Sequence, residues 1–320
     1  MTPSDTAQTY ISLIESGSLS PIERAEIGRK LSEIGDLRAG VGIITTNRII
    51  LPDVAWCHIP AGEFMMGFEG IDELEEPTHN LYLPDFYMSR YLVTYAQYCA
   101  FENAPDFNDA RWWDDFSDDQ KYQKIDQPFT YDNHPCEGVT WYMATAFCRW
   151  LTHHWNESQM PMMVWDIDTQ SYQEKAYHPM KILLPSEAEY EKMVRGIDGR
   201  MLPYGNADID NHFGFDPNKA NTSETGIGMT TAVGLFPDGA SPYGVLDACG
   251  NVEIWTCSQP RGYPYQPDDG RENLGGNKRI TRGGSWKGDA SYAHASHRGD
   301  GIQATSKHSW VGFFIVAHIG

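Results

Sequence analysis

His294 and His297 stand at i and i+3 inside "RGGSWKGDASYAHASHRG", which runs from Arg282 to Gly299. Imidazoles are the side chains best suited to proton transfer near neutral pH and to ligating transition metals. Histidines this close in a loop more often make surface contacts. The densest other His/Glu run is "HHWNE" (153–157). The six cysteines (57, 99, 136, 148, 249, 257) form no CxxC pair, so a zinc site gains little from them. Cys136, Cys148 and Cys249 read as small buried apolar residues. The acidic run Asp72-Glu73-Leu74-Glu75-Glu76 reads as solvated surface, because a cation site needs convergent oxygens rather than charge alone.

The whole 320-residue chain carries a formal charge of −20, and an acidic chain repels phosphate backbones. Nucleic acid is therefore not an expected partner. Hydrophobic residues make up 41%, enough for a sizeable core. The 30 Gly and 19 Pro imply many short elements joined by tight turns. The N-terminal stretch "MTPSDTAQTYISLIESG" has no basic n-region and no apolar signal-peptide core. No run approaches the roughly 20 apolar residues of a membrane span. A cytoplasmic location with reduced thiols is expected, without membrane insertion.

These side chains need elements to position them. Ser20, Pro21 and Glu23 form a capping-box start for a helix that stops near Gly35, with Ile22, Ala25, Leu31 and Ile34 on one face. A shorter helix precedes it over roughly 5–16. So small a pair cannot bury a core alone. Residues 1–50 are expected as a helical segment packed on a main domain of residues 51–320, or on a partner. "AWCHIPAGEFMMG" and "NLYLPDFYMSRYLVT" have strand composition, the second interrupted at Pro84. Thr94 with Gln97, Thr140, and Ser186 with Glu189 mark three further helix starts. Trp141, Phe147 and Trp150 read as packing residues on the middle one. Beyond Arg200 the chain is turn-rich.

Seven phrases then fall in order: "IPAGEFMMG" (59–67), "YLVTYAQY" (91–98), "HPCEGVTWYMATAFCRWL" (134–151), "LLPSEAEYEKMVRGIDGRMLPYGN" (183–206), "ANTSETGIGMTTAVGLFPDGASPYGVLDACGNVEIW" (220–255), "RITRGGSW" (279–286) and "VGFFIV" (311–316). Together they resemble the formylglycine-generating-enzyme-like family, also called the sulfatase-modifying-factor domain, over about Pro52 to Ala317. The resemblance implies an α+β, C-type-lectin-like fold. Catalytic members bind copper through two cysteines after the GGS corner. Gly288 and Ala293 stand at the matching positions, so no copper and no formylglycine generation are expected. A second, iron-dependent branch carries an HxxxHxE motif, whose spacing "HHWNE" does not have.

A third branch, the variable proteins of diversity-generating retroelements, is similar in its RGGSW corner, its scattered variable positions and its closing GFR-like strand. Here Phe314 stands where Arg is usual. That likeness implies a non-catalytic protein that displays a ligand-binding surface, with a protein as the expected ligand. Its positions are Lys287, Asp289, Ser291, Tyr292, His294, Ser296, His297, Asp300, Gln303, Lys307, His308 and Trp310. Ala290, Ala293 and Ala295 are expected to point inward, with Trp255 and Trp286 as core aromatics beneath. The alternatives are a metal-dependent oxidase using His294 and His297, or a signalling scaffold that binds through its N-terminal helices. The family also implies structural Ca²⁺, at Asn221, Thr222 and Glu224 and at Asp247, Gly250 and Val252. Ile254 replaces a ligand Glu at the second position, and Asn221 equally suits a turn cap.

Overall fold

A computed structural model describes residues 2–46, 49–205 and 213–320. Thr2, Ser20, Thr94, Thr140 and Ser186 each accept a hydrogen bond from the N–H three residues on. This satisfies donors that a helix's first turn would leave orphaned. The helices they open are α1 (Pro3–Glu15), α2 (Pro21–Ile34), α3 (Tyr95–Glu102), α5 (Trp141–Ser158) and α6 (Glu187–Arg195). One short turn, α4 (Ala110–Trp113), lies between α3 and α5.

The main sheet has six strands in the order Ser171–Lys175, Met162–Asp166, Ala55–Ile59, Phe86–Ser89, Val316–Ile319 and Met180–Leu183. Only the pairing of Ala55–Ile59 with Met162–Asp166 is parallel. Gly62–Met66 and His79–Leu83 form a separate antiparallel pair, and Pro84 does separate two strands. Polar side chains of α5 stitch that helix to the sheet edge: Thr152 Oγ1 accepts from Ile182 N at 2.9 Å, and Asn156 Nδ2 donates to Met180 O at 2.8 Å. The strands at 162–175 escaped the sequence reading because the outer one is mostly exposed and polar, without apolar alternation.

Aromatic rings fill the space between α3, α5 and the sheet. Phe147 lies 5.8 Å from Tyr98 and 5.5 Å from Phe313, centroid to centroid. Phe313 belongs to the C-terminal stretch, so this core anchors the chain end.

α1 and α2 pack on the main body: Ala7, Ile11, Ile14 and Leu31 are buried with Ala232, Leu235 and Phe236. The buried face of α2 is Arg24, Ala25, Gly28 and Leu31, whereas Ile22 and Ile34 are exposed, contrary to expectation. Gly28 explains the rotation. A Cβ there would lie 2.9 Å from Leu235 Cδ1 and 3.0 Å from Ala232 Cβ, so its absence lets the helix dock closely. The first fifty residues are also not wholly helical, since Ile43–Thr45 pairs with Ile50–Pro52 across the residue-50 boundary. Replacing Gly28 with Val should cost about 1–3 kcal/mol through overpacking. Limited proteolysis should then release residues before about 40 first, with the core melt little changed. Simultaneous loss of both would show that the helices fold inseparably with the core.

Candidate functional site

Both ends of the C-terminal segment hang from one strand. Glu253–Trp255 pairs antiparallel with Thr281–Arg282 and parallel with Val311–Gly312. Between those ends, Ile302–Gln303 pairs with Lys278–Arg279. Trp286 N donates to Asn251 O at 3.0 Å, and Ser223 N to Gly288 O at 2.9 Å. The backbone is thus pinned repeatedly.

Beneath the segment lies a buried charge network built on α6. Glu187 and Glu191, one turn apart, are both fully buried. Arg282 Nη2 reaches Glu191 at 2.5 Å, Arg298 Nε reaches Glu187 at 2.9 Å, and Arg271 Nη1 reaches Glu187 at 3.1 Å. Arg195 pairs with Glu191 at 3.1 Å. Arg282 also donates to Ala295 O at 2.8 Å, and Arg298 to Leu74 O at 2.9 Å. Burial opposes the Arg282 charge, but Tyr263, Glu191 and Glu187 outweigh it and raise its pKa above the ordinary guanidinium value. Arg282 and Arg298 therefore hold both ends of the 282–298 stretch on α6.

The sequence-expected face divides unevenly. Lys287, Asp289, Ser291, Tyr292, Asp300, Gln303 and Lys307 are exposed, and His297, His308 and Trp310 are half-buried. His294 and Ser296 depart from the expectation of a solvent-facing position: both are buried, because the chain turns inward there to meet Glu75. Ala290, Ala293 and Ala295 are buried. Trp255 is a core residue, but Trp286 is only half-buried, its Nε1 donating to Ser309 O at 3.1 Å. Lys287 Nζ lies 4.0 Å above the Trp310 ring, which stacks on His308 at 4.4 Å. A Cβ at Gly288 would touch Tyr292 Cδ2 at 3.4 Å, so the Tyr292 ring packs against this glycine. An apolar cavity of about 440 Å³ lined by Ile43, Ile50, Ala100 and Pro105 shares no residue with the segment.

Glu75 is the residue that sequence reasoning missed. Read as part of a solvated acidic run, it is fully buried against the segment. Ser296 donates to its Oε2, while His294 Nε2 and His297 Nδ1 lie 3.9 and 3.8 Å from its Oε1. Burial pushes this carboxyl up to about 7. Burial and neighbouring positive charge push His294 down to about 3 and His297 to about 4, so both rings are neutral at physiological pH. The other group, His153, His154 and Glu157, is more open, and His154 is already bound to Asp106 at 2.7 Å.

The residues considered for calcium act as loop pins. Asn221 Nδ2 donates to Met229 O at 2.9 Å, and its Oδ1 accepts from Thr225 Oγ1 at 3.1 Å. Glu224 accepts from Thr222 Oγ1 at 2.6 Å and from Ala290 N at 2.8 Å, tying this turn to the C-terminal segment. Asp247, at φ 54°, accepts from Gly234 N at 2.6 Å. Gly250 packs on Asn221, where a Cβ would lie 2.7 Å from Asn221 O, and Val252 is fully buried.

Two outcomes follow from the buried charges. Arg282→Met leaves Glu191 and Glu187 undercompensated and should cost about 3–5 kcal/mol in a denaturant melt; a neutral result would show that the network does not hold the segment. Glu137, buried before α5, is pushed by burial from 4.5 to about 8. Its folded form keeps the proton that the unfolded chain loses, so its contribution is full below about pH 4.5 and is lost as pH rises through about 8. Glu137→Gln should flatten the stability–pH curve over that window, and an unchanged slope would assign the dependence elsewhere.

With this geometry in view, the likeness to known proteins becomes informative. The sulfatase-modifying factor enzyme 1-like domain matches residues 51–319. Serine/threonine-protein kinase pkn1 of Chlamydia caviae is 24% identical over 253 residues, covering 75% of this chain but 34% of the kinase, so the chain spans about a third of that relative's length. The inactive C-alpha-formylglycine-generating enzyme 2 of Mus musculus is 26% identical over 269 residues, 77% of this chain and 78% of that protein. The formylglycine-generating enzyme of the same species is 25% identical over 287 residues, 74% and 67% of the two chains. Relatives thus include an enzyme and a protein named inactive. Among solved structures, Treponema denticola variable protein 1 superposes with a TM-score of 0.57 at 19% identity, covering 86% of this chain and 97% of its own. Given the match over residues 51–319 and the shared architecture, the chain belongs to the sulfatase-modifying factor enzyme 1-like domain family and has its α+β, C-type-lectin-like fold.

Proposed function

We propose that this chain is a non-catalytic protein that binds another protein through the face running from Lys287 to Trp310. The observation that carries the reading is the division within the segment: its backbone and arginines are committed to the fold, while Lys287, Tyr292 and Trp310 present rings and charge at the surface. Rigid aromatic side chains give contact area at low entropic cost, and short polar neighbours give adaptable hydrogen bonds. Gly288 and Ala293 supply no thiolate, so copper-dependent formylglycine generation has no ligands at those positions. The likeness to a variable protein and to an inactive family member supports the same reading. Among the described residues, no helix is long and apolar enough to cross a membrane.

Two experiments test this. The purified protein, with or without copper, should leave the cysteine of a CxPxR peptide unchanged by mass spectrometry; a formylglycine product would return the chain to the enzymes. A Lys287→Ala/Tyr292→Ala variant should keep its melt, since each exposed change is worth about ±0.5 kcal/mol. In affinity capture from cells of the source organism, proteins retained by the wild type should be lost with this variant. Identical capture by both would move binding to another surface, the N-terminal helices first.

A further inference from the structure

The geometry points to a binding site for one divalent transition-metal ion, zinc above all, made by Glu75 Oε1, His294 Nε2 and His297 Nδ1. The three ligand atoms lie within 4.8 Å of one another. This goes beyond the ligand-binding reading and does not depend on it.

Hydrogen-bond accounting carries the argument. Ser296 has one hydroxyl hydrogen, and its short contact to Glu75 Oε2 uses it. With Glu75 ionised, as a metal ligand is, the 3.2 Å contact between His294 Nδ1 and Ser296 Oγ is donated by the imidazole. That fixes the tautomer and leaves a lone pair on His294 Nε2, facing Glu75 Oε1 at 3.9 Å. Among the described residues, Glu75 Oε1 is buried with no hydrogen-bond partner, although the residue is fully shielded from water. A buried carboxylate oxygen without a donor is costly. Two acceptors 3.9 Å apart leave room for a cation between them.

The spacing suits a metal rather than an ion pair. A direct N–H···O contact would bring the atoms to about 2.8 Å. Tetrahedral ligands at about 2.1 Å from zinc are about 3.4 Å apart. The observed 3.8 and 3.9 Å need only a small closure. Two imidazoles and one carboxylate form a zinc or iron(II) donor set, and zinc binds such sets more tightly than iron(II). Ser296 supplies the outer-shell bond that ligating histidines and carboxylates usually have. Phe213 packs on His294 at 5.1 Å and Tyr292 on His297 at 5.1 Å, which orients both rings. Arg282 lies near, but its guanidinium is engaged by Glu187, Glu191 and Ala295 O. His297 is the accessible member of the set, its side chain 24% exposed.

The test uses the full-length protein, stripped with chelator and titrated with Zn²⁺ alone. One zinc per chain is expected by calorimetry and elemental analysis. Glu75→Gln and His297→Ala should each weaken binding at least about 10-fold to 100-fold. Glu157→Gln, in the other His/Glu group, should leave it unchanged. Co²⁺ should give visible bands that vanish in His297→Ala, a change at a partly exposed position that keeps the test valid if Glu75→Gln fails to fold. Absence of stoichiometric zinc, or zinc binding that persists in folded His297→Ala, would overturn the assignment. Neither result would touch the ligand-binding reading, which rests on Lys287, Tyr292 and Trp310.

Discussion

Two carboxylates one helical turn apart, Glu187 and Glu191, decide where the last third of the chain goes. Each is fully buried, and a buried carboxylate is tolerable only beside a cation. The cations come from distant places: Arg195 on the same helix, Arg271 from a loop, Arg282 from the strand that opens the segment, and Arg298 from within it. Buried ion pairs add little net stability compared with apolar packing. Their geometric demand is strict, however, because a guanidinium displaced from its carboxylate leaves two unpaired charges in a dry interior. We read this network as a device for specifying position more than for adding stability.

That constraint separates frame from surface. Glycines and arginines carry the frame, while the polar and aromatic side chains between them mostly face outward. Gly284 shows how tight the frame is: at φ 66°, a Cβ there would sit 2.9 Å from the Tyr292 backbone. A segment held by its backbone can vary its exposed side chains without disturbing the interior. This is the physical property that a display surface needs, and irregular, loop-rich folds provide it more readily than long helices do.

The same packing brings a second chemistry close to that surface. The loop containing Glu75 folds over the network, its carbonyl at Leu74 bonded to Arg298 and its carboxylate set against Ser296, His294 and His297. The segment therefore dips inward at its middle, and its two flanks remain accessible.

Local starts and stops are legible in the amino-acid order alone. Thr94, Thr140 and Ser186 place helix N-termini because a cap acts within three residues. Gly288 and Ala293 are seen not to be cysteines because side-chain identity needs no folding to be read. The ordered phrases carried the fold, since each keeps a local geometry. Contacts between residues far apart in the chain emerge only on folding. Glu75 and Ser296 are 221 residues apart, and nothing in an acidic run says that one of its members turns inward. Likewise, Gly28 rather than Ile22 faces the body because Leu235 lies 207 positions away in the sequence yet against the helix. Capping and side-chain chemistry act over a few residues, whereas burial is set by whatever packs from elsewhere, and periodicity alone does not name that partner.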